Sequence, residues 1–433
     1  PNGINAYQMT GSGASLTGGA VEIEIVQGAT DPVDEVQTIS LDDNPSGSFT
    51  LTFGGQTTSA LVPETSALAM RSALETLSSI GVGNTIVVKT KAFNWDVKFV
   101  GDEGGQGQDL ITSTSSLVSG GADQVDVNIA TAATSGNHWD NKTNWTTTTV
   151  PAGGDDVYFE AVNIDCLYGL DQSTVTLDSL NIDASYTGSI GLQSYNGDYY
   201  EYRDTMLQIG ATALNIGTGD GSGSSRIKID VGTVQTSCNV SQTSTPDDES
   251  VGAFVFAGTH VANAVNIQRG TVGIATNEPG QDTKLASLKI GYVDDQENDA
   301  NVRIGSDVSQ ITLVEQSAGG LQSKSNITTL TQRGGGGLIQ GSATIGTLDV
   351  AGDVTYSSTG TITQGYVRSN GSLNFDRNTQ ARTVTNITAF AGSVLSDRNR
   401  TVTWTNPIVL SGCGISDVEL ELGTNITIDI ATV

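Results

Sequence analysis

Two hydrophobic rhythms divide this chain. In its first third, apolar and polar residues alternate in short runs: Val21-Glu22-Ile23-Glu24-Ile25-Val26, Val36-Gln37-Thr38-Ile39-Ser40-Leu41 and Ser48-Phe49-Thr50-Leu51-Thr52-Phe53. Period-two alternation is the mark of half-buried strands. Gly54-Gly55 supplies a tight turn from the third run into Gln56-Thr57-Thr58, which predicts a hairpin. After Pro63 the spacing becomes helical, with Ala67, Met70, Leu74 and Leu77 on one face and Arg71 and Glu75 facing outward. A helix is expected over about residues 65–78, capped by Thr65 or Ser66, with its Met and Leu stripe in a core. Two more strands are expected over 85–89 and 95–100, beyond the turn residues Gly81 and Gly83. These elements predict a small β-sandwich with one helix packed across it.

The second rhythm starts near Val175 and runs to the end. A Thr- or Asn-led apolar hook followed by Gly, Asn or Asp returns roughly every twenty residues, as in Asn326-Ile327-Thr328-Thr329-Leu330, Thr344-Ile345-Gly346-Thr347-Leu348 and Asn386-Ile387-Thr388-Ala389-Phe390. Ile345 follows Ile327 by 18 residues, and Ile387 comes 42 later, about two further beats. Fixed-period self-similarity of short strands and turns predicts a parallel β-helix (β-solenoid), in which each coil buries its face only against its neighbours. The bare end of such a stack needs a cover. Asn137-His138-Trp139-Asp140 and Asn144-Trp145, followed by Val150-Pro151 and Gly153-Gly154, suit a cap built on Trp139 and Trp145.

The whole chain therefore reads as all-β. Residues 1–20, rich in Gly, Ser, Thr and Asn, form an arm that is flexible or ordered by a partner. Residues 21–134 are the sandwich-like module, 135–165 the double-Trp cap and 166–433 the solenoid. An internal echo, Gly18-Gly19-Ala20-Val21-Glu22-Ile23 against Gly120-Gly121-Ala122-Asp123-Gln124-Val125, marks strands expected to act as connectors and places the border near Thr134.

Charge narrows the partners. Nineteen Lys and Arg against 47 Asp and Glu give a net charge of −28, which repels nucleic-acid phosphates and anionic lipid surfaces. No run of eighteen apolar residues predicts membrane insertion, and the given chain shows no basic-then-apolar leader. Cys166, Cys238 and Cys413 are widely spaced and odd in number, so neither a disulfide framework nor a zinc site is expected; buried thiols acting as small hydrophobes are.

Candidate chemistry is sparse. A polysaccharide-cleaving site needs two carboxylates about 5–9.5 Å apart, and the strand Arg226-Ile227-Lys228-Ile229-Asp230 offers Asp230 alone. The acidic clusters Asp247-Asp248-Glu249 and Asp294-Asp295-Gln296-Glu297-Asn298-Asp299 sit among loop residues and read as solvated charge or a weak cation surface, without the EF-hand spacing. His138 and His260 are far apart and near no Ser or Cys elbow, so neither a hydrolase triad nor a metal or cofactor site is expected. The glycine runs at 217–221 and 334–337 lack the Lys-Ser/Thr of a phosphate loop and read as turns. Tyr195, Tyr199, Tyr200 and Tyr202 around Asn196-Gly197-Asp198 are the candidate interface or sugar-stacking residues.

Two segments carry a resemblance. Glu35-Val36-Gln37-Thr38-Ile39, Phe49 to Thr58, Ala73-Leu74-Glu75-Thr76-Leu77, Gly83-Asn84 and Val97-Lys98-Phe99-Val100-Gly101 resemble a β-module repeated in large planctomycete surface proteins and some phage structural proteins. The rest, from Asn137-His138-Trp139-Asp140 through Tyr168-Gly169-Leu170-Asp171-Gln172-Ser173 and Tyr200-Glu201-Tyr202-Arg203 to Ala381-Arg382-Thr383-Val384-Thr385-Asn386, resembles uncharacterised solenoid proteins of phages, prophages and planctomycetes. That resemblance implies a virion or cell-surface setting and brings no catalytic residues with it. The expectation is a non-enzymatic virion protein, a capsid decoration, head fibre or spike, contacting capsid proteins and its own copies as a trimer, with a host-surface glycan as a further partner. A bacterial cell-surface adhesin and a depolymerising tailspike are the alternatives.

Overall fold

The computed structural model of this protein describes residues 22–24, 33–41, 45–105, 107–118, 125–131, 137–194, 201, 204–276, 282–291, 300–423 and 426–431. The chain divides into two compact units. One covers residues 33–150 and Ile164–Gly169; the other covers 22–24, Pro151–Asn163 and everything from Leu170 onward.

Alternating strands build the first unit as two antiparallel sheets. A four-stranded sheet runs Thr85–Lys91, Asn94–Phe99, Val36–Leu41, Val125–Thr131, and a three-stranded sheet runs Gln56–Thr57, Ser46–Phe53, Thr112–Val118. Their inward residues make one core: Ile39, Phe49, Leu51, Trp95, Val97 and Phe99 with Met70, Leu74 and Leu77 of the helical segment. The helix spans Ala67–Glu75, shorter than the expected 65–78, and Ser66 is its cap: the Ser66 hydroxyl accepts from Ala69 N at 3.1 Å, while Thr65 Oγ1 instead accepts from Val62 N. The sandwich with one helix is as expected, with Thr112–Val118 as a strand that the pattern reading passed over.

The two echoing strands part company, correcting their shared reading as connectors. Val125–Thr131 pairs antiparallel with Val36–Leu41 inside the module. Glu22–Glu24, expected to open the same module, pairs parallel with Asp156–Tyr158 at the start of the solenoid sheet. Alternation sets a strand's two faces, not its partner.

The second unit is a parallel β-helix. Strands of one sheet, from Asp156–Phe159 through Thr283–Ile290 and Ile345–Val350 to Ile428–Ala431, alternate along the chain with strands of a second sheet, from Ile227–Asp230 through Asn301–Ile304 and Asp353–Tyr356 to Glu419–Glu421. Each strand pairs in parallel with its counterpart one coil away. Inward side chains stack in columns, such as Leu214, Cys238, Val265, Leu288, Val314, Leu330 and Leu348. All seven are fully buried, and each such aliphatic side chain contributes about 1.5–3 kcal/mol. Solenoid strands thus begin at Asp156, ten residues before the expected start at 166, and 137–150 group with the first unit.

Coil length varies, and this corrects one of the three hooks. Ile327 and Ile345 are register partners, as their 18-residue spacing predicts. That column continues to Ile362 and Val384, whereas Ile387 belongs with Leu348 and Gly365, three residues along. Gly365 makes the room: a Cβ there would lie 2.3 Å from Ile387 Cδ1. Long strands such as Arg382–Ala389 bend at two consecutive half-buried residues, Thr385 and Asn386, so one strand lines two faces of its coil.

Stacked amides tie coils together. On the outer face, Asn215 Nδ2 donates to Asn181 Oδ1 at 2.8 Å, Asn239 to Asn215 at 3.3 Å and Asn266 to Asn239 at 3.1 Å. Inside, buried Gln316 and Gln332 donate to carbonyls of flanking coils, Gln316 to Gly336 and Gln332 to Asp353, each at 3.0 Å. These bonds satisfy carbonyls that the turns would otherwise bury unpaired.

Candidate functional site

A groove of about 890 Å³ lies on the outer face of the second sheet. Its floor follows from the register of three coils. Arg303, Gln322 and Leu338 occupy one outward row on Asn301–Ile304, Gly320–Ser323 and Gly336–Ile339. Lys324 N donates to Ile304 O and Gln340 N to Ser323 O, which extends the ladder and makes Gly305, Lys324 and Gln340 the next outward row. Gly305 lets the neighbouring coil approach closely, since a Cβ there would sit 2.2 Å from Ala275 O. A shallower depression of about 230 Å³ shares Gln322 and is lined by Leu338, Gly320, Gly336 and Gly337.

The walls come from loops. Asp247, Asp248, Glu249 and Ser250 form one side, with Gln193 and Ser194; Thr276, Ser306 and Asp307 contribute the rest. Asp247 Oδ2 accepts from Arg226 Nη1 and, at 3.2 Å, from Gln193 Nε2. Asp248 Oδ1 accepts from Ser250 N at 2.8 Å and Ser250 Oγ at 2.6 Å. Below the loop, Met206, Val251, Val255 and Ala257 form a small satellite core on the outside of the sheet. Lys228, only 2% exposed, donates to Ser194 Oγ at 2.6 Å and Thr205 Oγ1 at 3.2 Å, fastening the Gln193–Ser194 part of the same wall. Asp230, on the same strand, has its carboxyl raised above the usual range by burial, offset in part by a hydrogen bond from Gly232 N and reinforced by Asp204.

The chain's cations sit in different settings. Arg71, Lys98, Arg226, Lys284, Lys289, Arg333, Arg368 and Arg398 each have a carboxylate within 4 Å. Arg382 spends its guanidinium on the carbonyls of Tyr356, Phe375, Asn378 and Gln380. Among the described residues, the Arg303 and Lys324 side chains have no such partner, and both face the groove.

Sequence reading found the acidic wall at Asp247-Asp248-Glu249 but not the floor. Arg303, Gln322, Lys324 and Gln340 come together only through coil register. The signal available was their recurrence on the beat, 19 residues from 303 to 322 and 16 from 324 to 340. Tyr195, Tyr199, Tyr200 and Tyr202, and the acidic run 294–299, lie outside the described residues.

Trp139 and Trp145 are buried and packed edge to face, 4.8 Å between rings, and Trp145 Nε1 donates to Trp139 O at 2.7 Å. His138 is buried beside them, stacked on Tyr168 at 4.9 Å, with Nδ1 3.4 Å from Asp140 Oδ1. Cys166 belongs to the same knot, and here a nucleophile could be imagined. Its chemistry runs the other way: burial, reinforced by Asp140 and Asp165, pushes the thiol far up, whereas a reactive cysteine needs a lowered value. Cys238 is likewise buried and raised, while Cys413 is half-buried, its Sγ 3.9 Å from Ala389 O. His260 belongs to the other unit, its Nδ1 accepting from Ala262 N. Among the described residues no three His, Cys, Asp or Glu side chains converge as a metal site would require.

Searched against family models and curated proteins, the chain matches none.

Proposed function

We propose that this protein is a non-enzymatic structural component of a virion, a capsid decoration, head fibre or spike that attaches through its N-terminal region and presents or braces a surface with its solenoid. The observation behind this reading is the unbroken parallel ladder of the second unit, which runs from Asp156–Phe159 to Ile428–Ala431 with every coil bonded to the next. Such a stack is stiff and grows by adding coils. Two of the groove's four carboxylates are held in its wall, Asp247 by Arg226 and Asp248 by Ser250.

The surrounding charge fits a protein that stays soluble and apart from other acidic surfaces until docked. Trimeric assembly belongs to the same proposal, and sedimentation giving only monomer at high concentration removes it. The groove gives a bacterial cell-surface adhesin its standing as the second reading, because adhesion needs a recessed polar site. Density-gradient fractionation of a source culture, followed by mass spectrometry, separates the two. Co-sedimentation with a capsid protein is expected; recovery in envelope fractions alone overturns the virion reading, and oligosaccharide release from host polysaccharide by the purified chain overturns the non-enzymatic part.

A further inference from the structure

We propose that the groove over Arg303, Gln322, Lys324 and Gln340 binds a chain-like oligosaccharide carrying sparse carboxylate groups. The inference goes beyond the structural role and stands on either setting, particle or cell surface.

Three observations define the ligand. Arg303 and Lys324 lie in adjoining outward rows, and among the described residues neither has a carboxylate within 4 Å. Two such cations facing one cavity favour an anion, and a guanidinium grips a carboxylate in a bidentate fork. The opposite wall is acidic, with Asp247, Asp248 and Glu249, and the chain carries −28 overall. A densely charged polymer such as nucleic acid or polyphosphate would meet repulsion there, whereas carboxylates accept hydrogen bonds readily from sugar hydroxyls. Gln322, Gln340 and Gln193 add amides that both donate and accept, which suits vicinal diols.

Shape supplies the third point. The 890 Å³ groove lies within the range of ligand pockets. It continues past Gln322 into the shallower trough, where Gly320 and Gly336 present no side chain to the outer face. A Cβ at Gly336 would meet nothing within 4 Å, so that floor is open. An extended ligand running across successive coils fills both; a compact one fills only the first.

The test is binding of the full chain to an array bearing uronate- and sialate-containing oligosaccharides, their carboxyl-reduced counterparts, neutral oligosaccharides, heavily sulfated glycans and a single-stranded DNA oligomer. Signal confined to sparse-carboxylate glycans is expected, with Arg303→Gln and Lys324→Gln each weakening it by about tenfold. Lys289→Gln, on the other sheet and paired with Glu315, serves as control and leaves binding unchanged. Equal binding of carboxyl-reduced glycans, stronger binding of sulfated glycans or DNA, indifference to both groove substitutions, or no binding to any acidic glycan on the array overturns the proposal.

Discussion

Single side chains in the solenoid do work that propensity does not anticipate. The ladder Asn181, Asn215, Asn239, Asn266 replaces water contacts with amide-to-amide bonds repeated along the stack. Asn239→Ala removes two of them and is expected to lower stability by about 1–2 kcal/mol, read from the midpoint of urea unfolding; Asn239→Asp sets a carboxylate against the Asn215 carbonyl and regains part of the loss when protonated at low pH. Asp349 gives a second residue-level expectation. Hydrogen bonds from Arg368, at 2.8 and 2.9 Å, hold its carboxyl below the usual range, with the Arg333 charge assisting. Because the folded chain favours the ionised form, this stabilisation is present above the unfolded carboxyl range, about pH 4, and is lost as the pH falls through the lower folded value. Arg368 is partly exposed, so Arg368→Gln should cost about 0.5–1 kcal/mol at neutral pH, a difference from the parent chain that shrinks in acid melts.

At the scale of elements, the coil is the unit of change. Asn326 Oδ1 accepts from Thr344 N and Oγ1, in the same register that joins Ile327 to Ile345. Deleting residues 327–344 therefore sets Ile345 where Ile327 stood and preserves every inward position. A cooperative thermal transition with undiminished β-sheet circular dichroism per residue is expected, while deleting 327–335 offsets the stack by half a coil and should abolish the transition. The element pattern was legible wherever local alternation decides the outcome, as in Val36–Leu41 and Ser46–Phe53. It failed where register decides: Ile387 shares its hook with Ile345 yet sits one inward column away, and Glu22–Glu24 resembles Val125–Thr131 yet joins another sheet. Coils of unequal length shift the columns, and no local signal in the hook reports the bend at Thr385 and Asn386.

At the scale of the molecule, the sequence made a parallel β-helix and an acidic chain visible, but the groove was only half visible. Asp247-Asp248-Glu249 stood out because they are contiguous; Arg303, Gln322, Lys324 and Gln340 are brought together by three coils and are unremarkable one at a time. What the chain does as a whole is most directly tested by locating it. Electron microscopy of gold-labelled antibody against this chain, applied to a source culture containing intact particles and cells, is predicted to place gold on the particles. Gold on cell envelopes with bare particles would contradict the virion account.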